Sequence, residues 1–136
     1  MSSSLTTIEV TRAVITAMDI AASRAFPEEA CGLLLGTAGR ISQFEVARNV
    51  HPQPEKRFEI DPQALIDAHR DARNGGPALL GYFHSHPAGV AAPSAIDAAL
   101  AAGDGMIWAI MAEGQVRFWH DLPGGFRALS YTISST

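Results

Sequence analysis

A helix with well-defined ends lies in the middle of the chain and leads directly into an apolar segment. Asp61 is followed by Pro62, the pattern of an N-cap residue with proline at the first helical position, and the predicted helix extends to about Arg73. The Asn-Gly-Gly-Pro sequence at 74–77 ends it, and the apolar run 78–83 predicts a strand. Helix and strand therefore alternate closely along this chain, which favours an α/β fold.

The rest of the chain supplies two more helices and six more strands. Apolar spacing predicts a helix at 11–24, and Pro-Ser followed by an alanine-rich stretch predicts another at 93–102. Apolar runs bounded by turn residues predict strands at 31–36, 40–50, 58–60, 106–111, 115–120 and 126–133. The first two strands are expected to pair as a hairpin, and the last three are expected to be antiparallel because their turns are too short for crossovers. We predict a single α/β domain over residues 1–136 with a mixed sheet.

Composition and charge exclude several classes of protein. A chain of 136 residues has room for one compact domain, and 47% hydrophobic residues are enough to form its core. The formal net charge is -4 and no basic run could follow a phosphate backbone, so no nucleic-acid partner is expected. The single cysteine excludes a disulfide-stapled scaffold and multi-cysteine metal sites. Because neither a signal-peptide pattern nor a membrane-spanning apolar stretch is found, we expect a cytoplasmic protein with no membrane partner.

The segment that follows the 78–83 strand carries the residues best suited to metal chemistry. Residues two apart on a strand project to the same side, so His84 and His86 present two imidazoles to one point. Asp97 lies in the first turn of the next predicted helix, where its carboxylate can face the strand end. Two histidines and one carboxylate leave a fourth position open, as in catalytic zinc sites. The same residues also allow an interpretation without metal, as ordinary histidines and a capping box of Ser94 and Asp97.

The order of these residues resembles the zinc motif of the JAMM (MPN+) metalloproteases. It runs from His-Ser-His-Pro at 84–87 to Ser94 and Asp97, and the upstream Pro-Glu-Glu-Ala-Cys-Gly at 27–32 matches the family's glutamate before a small apolar strand. The family pattern of Glu, one variable residue and Cys-Gly assigns the catalytic acid to Glu29. The resemblance covers about residues 10 to 121. It implies a single-domain MPN (cytidine-deaminase-like) α/β fold, with a curved mixed β-sheet flanked by helices.

The resemblance also implies a role for each of these side chains. His84, His86 and Asp97 are the expected ligands of one Zn²⁺ per chain. Glu29 is the expected general base, which takes a proton from the attacking water and later delivers it to the leaving amine. Ser94 is expected to donate a hydrogen bond to the tetrahedral oxyanion. Because a serine can hardly act fully both as this donor and as the helix cap, we expect the capping by Ser94 to be partial.

Other polar and aromatic side chains are expected to be structural or solvated. Ser85 should face away from the two histidines that flank it. Cys31 lies on an apolar strand, where a small buried hydrophobe is expected rather than a nucleophile. Glu28 is expected to be a solvated neighbour of Glu29. No role is assigned to three histidines: His51, His69 and His120. Trp108 and Trp119 are expected in the core, with an outward-facing position left open for Trp119.

The resemblance implies a class of substrate as well. Members of the family cleave isopeptide or peptide bonds after the C-terminal Gly-Gly of ubiquitin or ubiquitin-like proteins. This compact chain is similar to the stand-alone prokaryotic members, some of which act on sulfur-carrier proteins, so the implied partner is a ubiquitin-like or sulfur-carrier protein that ends in Gly-Gly. The alternative is a non-catalytic protein-binding scaffold of the same fold. The sequence leaves the oligomeric state open.

Overall fold

The computed structural model describes residues 6–135, in which seven strands close into a barrel and three helices pack against it. Its elements are β1 (Thr7–Thr11), α1 (Arg12–Ala25), β2 (Cys31–Thr37), β3 (Arg40–Ala47), α2 (Pro62–Arg73), β4 (Ala78–Ser85), α3 (Ala95–Leu100), β5 (Ile107–Ala112), β6 (Gln115–Leu122) and β7 (Gly125–Ser134). Neighbouring strands follow the order β1-β3-β2-β4-β5-β6-β7. The α/β class, the mixed sheet, the β2–β3 hairpin and the antiparallel β5–β6–β7 meander are confirmed.

The strand that closes the barrel is β1, which the sequence analysis did not predict. It pairs in parallel with β7 along its whole length and with β3 at two positions. Ile8 and Val10 alternate with polar residues, but the strand has only five residues and passes directly into α1. Thr11 both ends β1 and caps α1 by accepting a hydrogen bond from the Val14 backbone N–H. A pattern this short, fused to a helix, gives little periodicity to detect.

Prediction and structure differ most at three elements. The strand predicted at 40–50 ends at Ala47, and the helix predicted at 93–102 occupies only Ala95–Leu100, with Ser94 as its N-cap. Residues 58–60 form no strand and contribute a single bridge from Ile60 to Asn49. The physical reason is that the Asn49 side chain accepts a hydrogen bond from the Glu59 N–H and donates one to the Arg57 carbonyl. These backbone groups are therefore satisfied by a side chain rather than by a ladder.

The core has two parts that share β2 as their common wall. In the first part, α1 buries Val14 and Met18 against residues of the strands. In the second part, α2 packs on β4, and its Ala68 joins Leu33 of β2 in one buried cluster. The six residues 31–36 of β2 are consequently all buried, as predicted for a strand covered on both faces. Among residues 6–135, no helix combines the length and the apolar character needed to cross a membrane.

The pairing of β2 with β4 determines where the functional side chains meet. Cys31 lies opposite His84 in this antiparallel pair, so the residues just before β2 lie beside the end of β4. Gly81 allows β5 to approach β4 on the other side, because a Cβ at this position would collide with the Ile107 carbonyl. The start of β2 and the end of β4 therefore form one edge of the barrel, and α3 packs nearby.

Candidate active site

Two histidine side chains meet at the end of β4. His84 Nε2 lies 3.0 Å from His86 Nε2, as expected for residues two apart on one strand. The His84 side chain is fully buried and that of His86 is 12% exposed. The ring of His84 stacks on Phe58, with centroids 4.2 Å apart and planes 15° from parallel. One histidine is therefore held in the interior by aromatic packing, while the other remains accessible from solvent.

Asp97 reaches the same point from the first turn of α3. Its Oδ2 lies 3.2 Å from Nε2 of His84 and 3.2 Å from Nε2 of His86. The same oxygen accepts a hydrogen bond of 2.9 Å from the Ser94 backbone N–H, which orients the carboxylate toward the histidines. Asp97 is 3% exposed, so this carboxylate is a buried acid in contact with two imidazoles. The structure brings together the three side chains that the sequence analysis named as metal ligands.

Ser94 forms a complete helix cap, which corrects the expectation that its capping would be partial. Its Oγ accepts a hydrogen bond of 3.0 Å from the Asp97 N–H, and the reciprocal bond to the Asp97 carboxylate is also present. The expectation failed because capping uses a lone pair of the hydroxyl oxygen and leaves its proton free. Ser94 is exposed and can therefore cap α3 and donate a hydrogen bond at the same time.

The three converging atoms have the spacing of a metal site. A tetrahedral zinc ion with bonds of about 2.0–2.1 Å separates its ligand atoms by about 3.3–3.4 Å, close to the observed 3.0, 3.2 and 3.2 Å. His86 Nδ1 lies 2.8 Å from the Val90 carbonyl oxygen, which can only accept, so we assign the ring proton to Nδ1 and the lone pair to Nε2. The buried Nδ1 of His84 has no hydrogen-bond partner among residues 6–135, so packing rather than a second hydrogen bond orients this ring.

Glu29 lies beside this cluster, just before β2. One of its carboxylate oxygens and one ring nitrogen from each of His84 and His86 all lie within 4.8 Å of one another. Glu29 is therefore close enough to share in metal binding, although Asp97 makes the tighter set with the two histidines. Glu29 is 8% exposed, and its backbone N–H donates a hydrogen bond of 2.7 Å to the Pro54 carbonyl. A loop contact thus holds this acid at the cluster.

Burial and hydrogen bonding shift the pKa values of these groups in different directions. Burial raises the pKa of Glu29 to about 7. Burial also lowers the pKa of His84. For His86, burial lowers the pKa but the hydrogen bonds to Asp97 and to the Val90 carbonyl outweigh it, so the pKa is raised. For Asp97, burial raises the pKa but the hydrogen bonds with both histidines outweigh it and hold the pKa well below its usual range. The cluster thus keeps an ionised carboxylate in a buried place, as a cation site requires.

Ser85 links the two halves of the site, as its predicted structural role requires. Its Oγ accepts a hydrogen bond of 2.8 Å from the Ala30 N–H, and its own N–H donates to the Ala30 carbonyl at 3.0 Å. Ser85 lies between the two histidines and Ala30 follows Glu29. This pair of bonds therefore connects the histidine strand to the segment that carries the acid.

Sequence reasoning missed Asn49, which organises the loop beside Glu29. Its Nδ2 donates to the carbonyl oxygens of Glu29 and Arg57, each at 3.0 Å, and its Oδ1 accepts from the backbone N–H groups of His51 and Glu59. Phe58, assigned to a strand, instead stacks on His84. No local sequence signal identifies Asn49, because its partners lie up to 20 residues away along the chain.

The remaining side chains are mostly as predicted. Cys31 is a free, fully buried thiol whose pKa burial raises to about 12, which agrees with a structural role. Glu28 is exposed, and Trp108 is buried. Trp119 is only partly buried, and its Nε1 donates to the Ala91 carbonyl in the loop before α3 at 3.2 Å.

Comparison with known proteins identifies relatives along most of the chain. The family described as prokaryotic homologs of the JAB domain matches residues 11–121. The chain is similar to a desampylase from Haloferax volcanii, with 29% identity over 110 residues that cover 79% of each chain. It is 38% identical over 74 residues to a probable TtuB-protein conjugate cleaving protease from Thermus thermophilus, covering 54% of this chain and 49% of that one.

A solved structure has the same architecture over almost its whole length. Protein DSY2949 from Desulfitobacterium hafniense superposes with a TM-score of 0.83 and 28% identity, and the match covers 95% of this chain and 94% of that chain. The matched regions include the start of β2, the end of β4 and α3, which contribute the clustered side chains.

Proposed function

The chain belongs to the family of prokaryotic JAB-domain homologs, and from that membership we propose that it is a zinc-dependent isopeptidase that hydrolyses the bond after the C-terminal Gly-Gly of a ubiquitin-like or sulfur-carrier protein. It is a JAMM-type hydrolase of isopeptide bonds. Its similarity to a desampylase and to a TtuB-protein conjugate cleaving protease supports a small protein modifier as one half of the substrate. The observation that carries the proposal is the convergence of His84, His86 and Asp97 beside Glu29.

In this proposal one zinc ion is held by His84, His86 and Asp97. Hydrogen bonds with neighbouring backbone groups orient two of these ligands. The Val90 carbonyl holds the His86 ring, and the Ser94 N–H holds the Asp97 carboxylate. When bound, zinc supplies Lewis-acid chemistry, since it acidifies water and polarises the scissile carbonyl. The chain supplies the ligands on two rigid elements, β4 and α3, which limits their motion relative to the substrate.

Glu29 moves the proton in the proposed reaction. Its carboxylate takes a proton from the attacking water and later delivers it to the leaving amine. Burial raises the pKa of Glu29 to about 7, and a carboxyl with a pKa near neutrality is suited both to accepting and to releasing a proton. The hydrogen bonds of its backbone to Pro54 and Asn49 hold it beside the histidines, so transfer requires no rearrangement of the chain.

Ser94 stabilises the oxyanion that forms from the scissile carbonyl. The cap of α3 uses its oxygen only as an acceptor, which leaves the hydroxyl proton for this hydrogen bond. Because Ser94 and Asp97 form reciprocal hydrogen bonds, the donor and one ligand are held in one rigid unit. Preorganised donors of this type stabilise charge without reorganising during the reaction.

The test compares two adjacent glutamates. The substrate is a sulfur-carrier protein whose terminal Gly-Gly is joined to the ε-amine of a lysine peptide, and zinc content is measured in parallel. We expect about one zinc per chain and chelator-sensitive cleavage after Gly-Gly in the wild type. Glu29→Gln should retain zinc and lose turnover, whereas Glu28→Gln, a change at an exposed neighbour, should retain both.

Each other outcome contradicts a defined part of the proposal. Zinc binding without cleavage of the conjugate would refute the substrate class, and full activity of Glu29→Gln would transfer the role of base to another residue. Wild-type protein that neither binds zinc nor gains activity when zinc is added would refute the metal site and favour the non-catalytic scaffold. The cytoplasmic location expected from the sequence stays a prediction.

A further inference from the structure

An apolar groove runs between α1 and β3 and ends at Glu29. Its inner part has a volume of about 470 Å³ and lies between Ala21 and Ala25 on the helix and Val46 on the strand. An outer part of about 300 Å³ continues along residues 42–45 of β3, and Ala17 lines both parts. The groove therefore extends along most of one strand and leads to the acid of the proposed active site.

One wall of this groove is an unpaired strand edge. β3 pairs with β2 along its whole length, but with β1 only at Arg40 and Ile41. Within residues 6–135, no second strand pairs with β3 between Ser42 and Ala47. Such an edge presents backbone N–H and carbonyl groups that an extended peptide can pair with. The groove thus combines a backbone template with apolar walls.

The rim of the groove carries the features of a peptide-binding surface. Ile20 is 46% exposed and Val46 is 64% exposed, so two large apolar side chains face solvent across it. Arg24 also lines the groove, is exposed and makes no ion pair with any residue that the structure describes. Because Glu28 and Glu29 line the groove together with Arg24, and Glu45 lines its outer part, charge does not select an acidic peptide, and the apolar rim is the feature that a bound segment contacts.

We propose that this groove binds the leaving-group side of the substrate, namely an extended segment of the modified protein that carries the conjugated lysine. This inference rests on the proposed function, in which Glu29 protonates the leaving amine. The amine must then lie next to Glu29, and the chain attached to it must continue from there. Glu29 is one of the residues that line the groove, and the alanine-lined walls of the groove suit the methylene stem of a lysine.

The experiment uses two substrates that share the same modifier tail. In the first, a tail peptide ending in Gly-Gly is joined to the ε-amine of a lysine within a nine-residue peptide that has no other charged residue. In the second, the same tail is joined to aminomethylcoumarin, which has no peptide on the leaving side. Ile20→Arg fills the rim at an exposed position of α1, and Ile66→Arg, at an isoleucine of α2 that is 57% exposed, is the matched control.

We expect Ile20→Arg to lower kcat/KM for the lysine-peptide substrate about tenfold, mainly through KM, because it removes apolar contact from the bound segment. Cleavage of the coumarin substrate should change by less than about twofold. Ile66→Arg should leave both substrates unaffected.

Three results would overturn the inference. Equal losses on both substrates would assign the groove to the modifier tail, and no loss on either would exclude the groove from substrate binding. If the wild type cleaves neither substrate, the proposed function fails, and the groove is then judged by fluorescence anisotropy with the free lysine peptide. Equal binding of that peptide to wild type and Ile20→Arg would refute the groove on its own.

Discussion

Replacing Ser85 with alanine tests whether one buried hydroxyl connects the histidine strand to the segment that carries Glu29. The hydroxyl accepts a 2.8 Å hydrogen bond from the Ala30 N–H, and both residues are at least 95% buried. Alanine leaves this N–H without an acceptor at a site that water reaches poorly. An unsatisfied buried donor costs about 1–3 kcal/mol, so the free energy of unfolding should fall by that amount.

The expected change in melting temperature follows from the size of the chain. A protein of 136 residues has an unfolding entropy of about 0.3 kcal/mol/K near its midpoint. A loss of about 1–3 kcal/mol therefore lowers Tm by about 3–10 °C. Because Ala30 follows Glu29, kcat should also fall by about tenfold through displacement of the acid, while the zinc content remains near one per chain.

The assay combines calorimetry, metal analysis and steady-state kinetics. Ser130→Ala is the matched control, because Ser130 is exposed on β7 and its hydroxyl makes no hydrogen bond that the structure describes. A Tm for Ser85→Ala within 1 °C of the wild type would show that the Ala30 N–H does not depend on this hydroxyl. Loss of zinc together with activity would show instead that Ser85 supports the metal ligands rather than Glu29.

Three further predictions address the ligands, the cap and the thiol. His86→Ala should lose zinc, as measured by mass spectrometry. The control His69→Ala, a change at an exposed position of α2, should retain zinc. Stoichiometric zinc in His86→Ala would contradict the proposed ligand set. Ser94→Ala should cost about 1 kcal/mol of stability through the lost cap and lower kcat about 100-fold through the lost oxyanion donor. Ser94→Thr should restore much of the stability and of kcat. An unchanged kcat in Ser94→Ala would exclude Ser94 as the oxyanion donor. Burial raises the pKa of Cys31 to about 12, so maleimide should label the native protein at pH 7.5 about 1000-fold more slowly than a free cysteine, and rapid labelling would contradict the buried position.

Predicted and observed element bounds agree best where the residues at the ends of an element determine its conformation. The α2 helix begins and ends at the residues expected, because Asp61 caps it and the turn at 74–77 cannot continue it. The prediction was wrong at 58–60, where the backbone bonds of the loop are made by Asn49 rather than by a strand. It also missed β1, which is stable only because β7 and β3 lie on either side of it.

The residues of the site also differ in whether local geometry or distant contacts determine their positions. The two histidines proposed as metal ligands could be paired from sequence, because the period of a strand places residues two apart on one face. The position of Glu29 beside them depends on the β2–β4 register, in which Cys31 faces His84 across 53 residues of chain. Periodicity carries no information about the register between distant strands, so only the resemblance of motifs indicated that Glu29 belonged to the site.

The sequence by itself determined which side chains are of a type that can hold a metal, which two histidines share one side of a strand, and that an α/β core can form. These properties depend on residue type and on spacings of a few residues, which local geometry controls. Only the tertiary structure decided the closure of the barrel, the hydrogen bonds of Ser85 and Asn49, and the groove along β3. Those features depend on contacts between segments far apart in the chain, whose free energy exists only after the elements have packed.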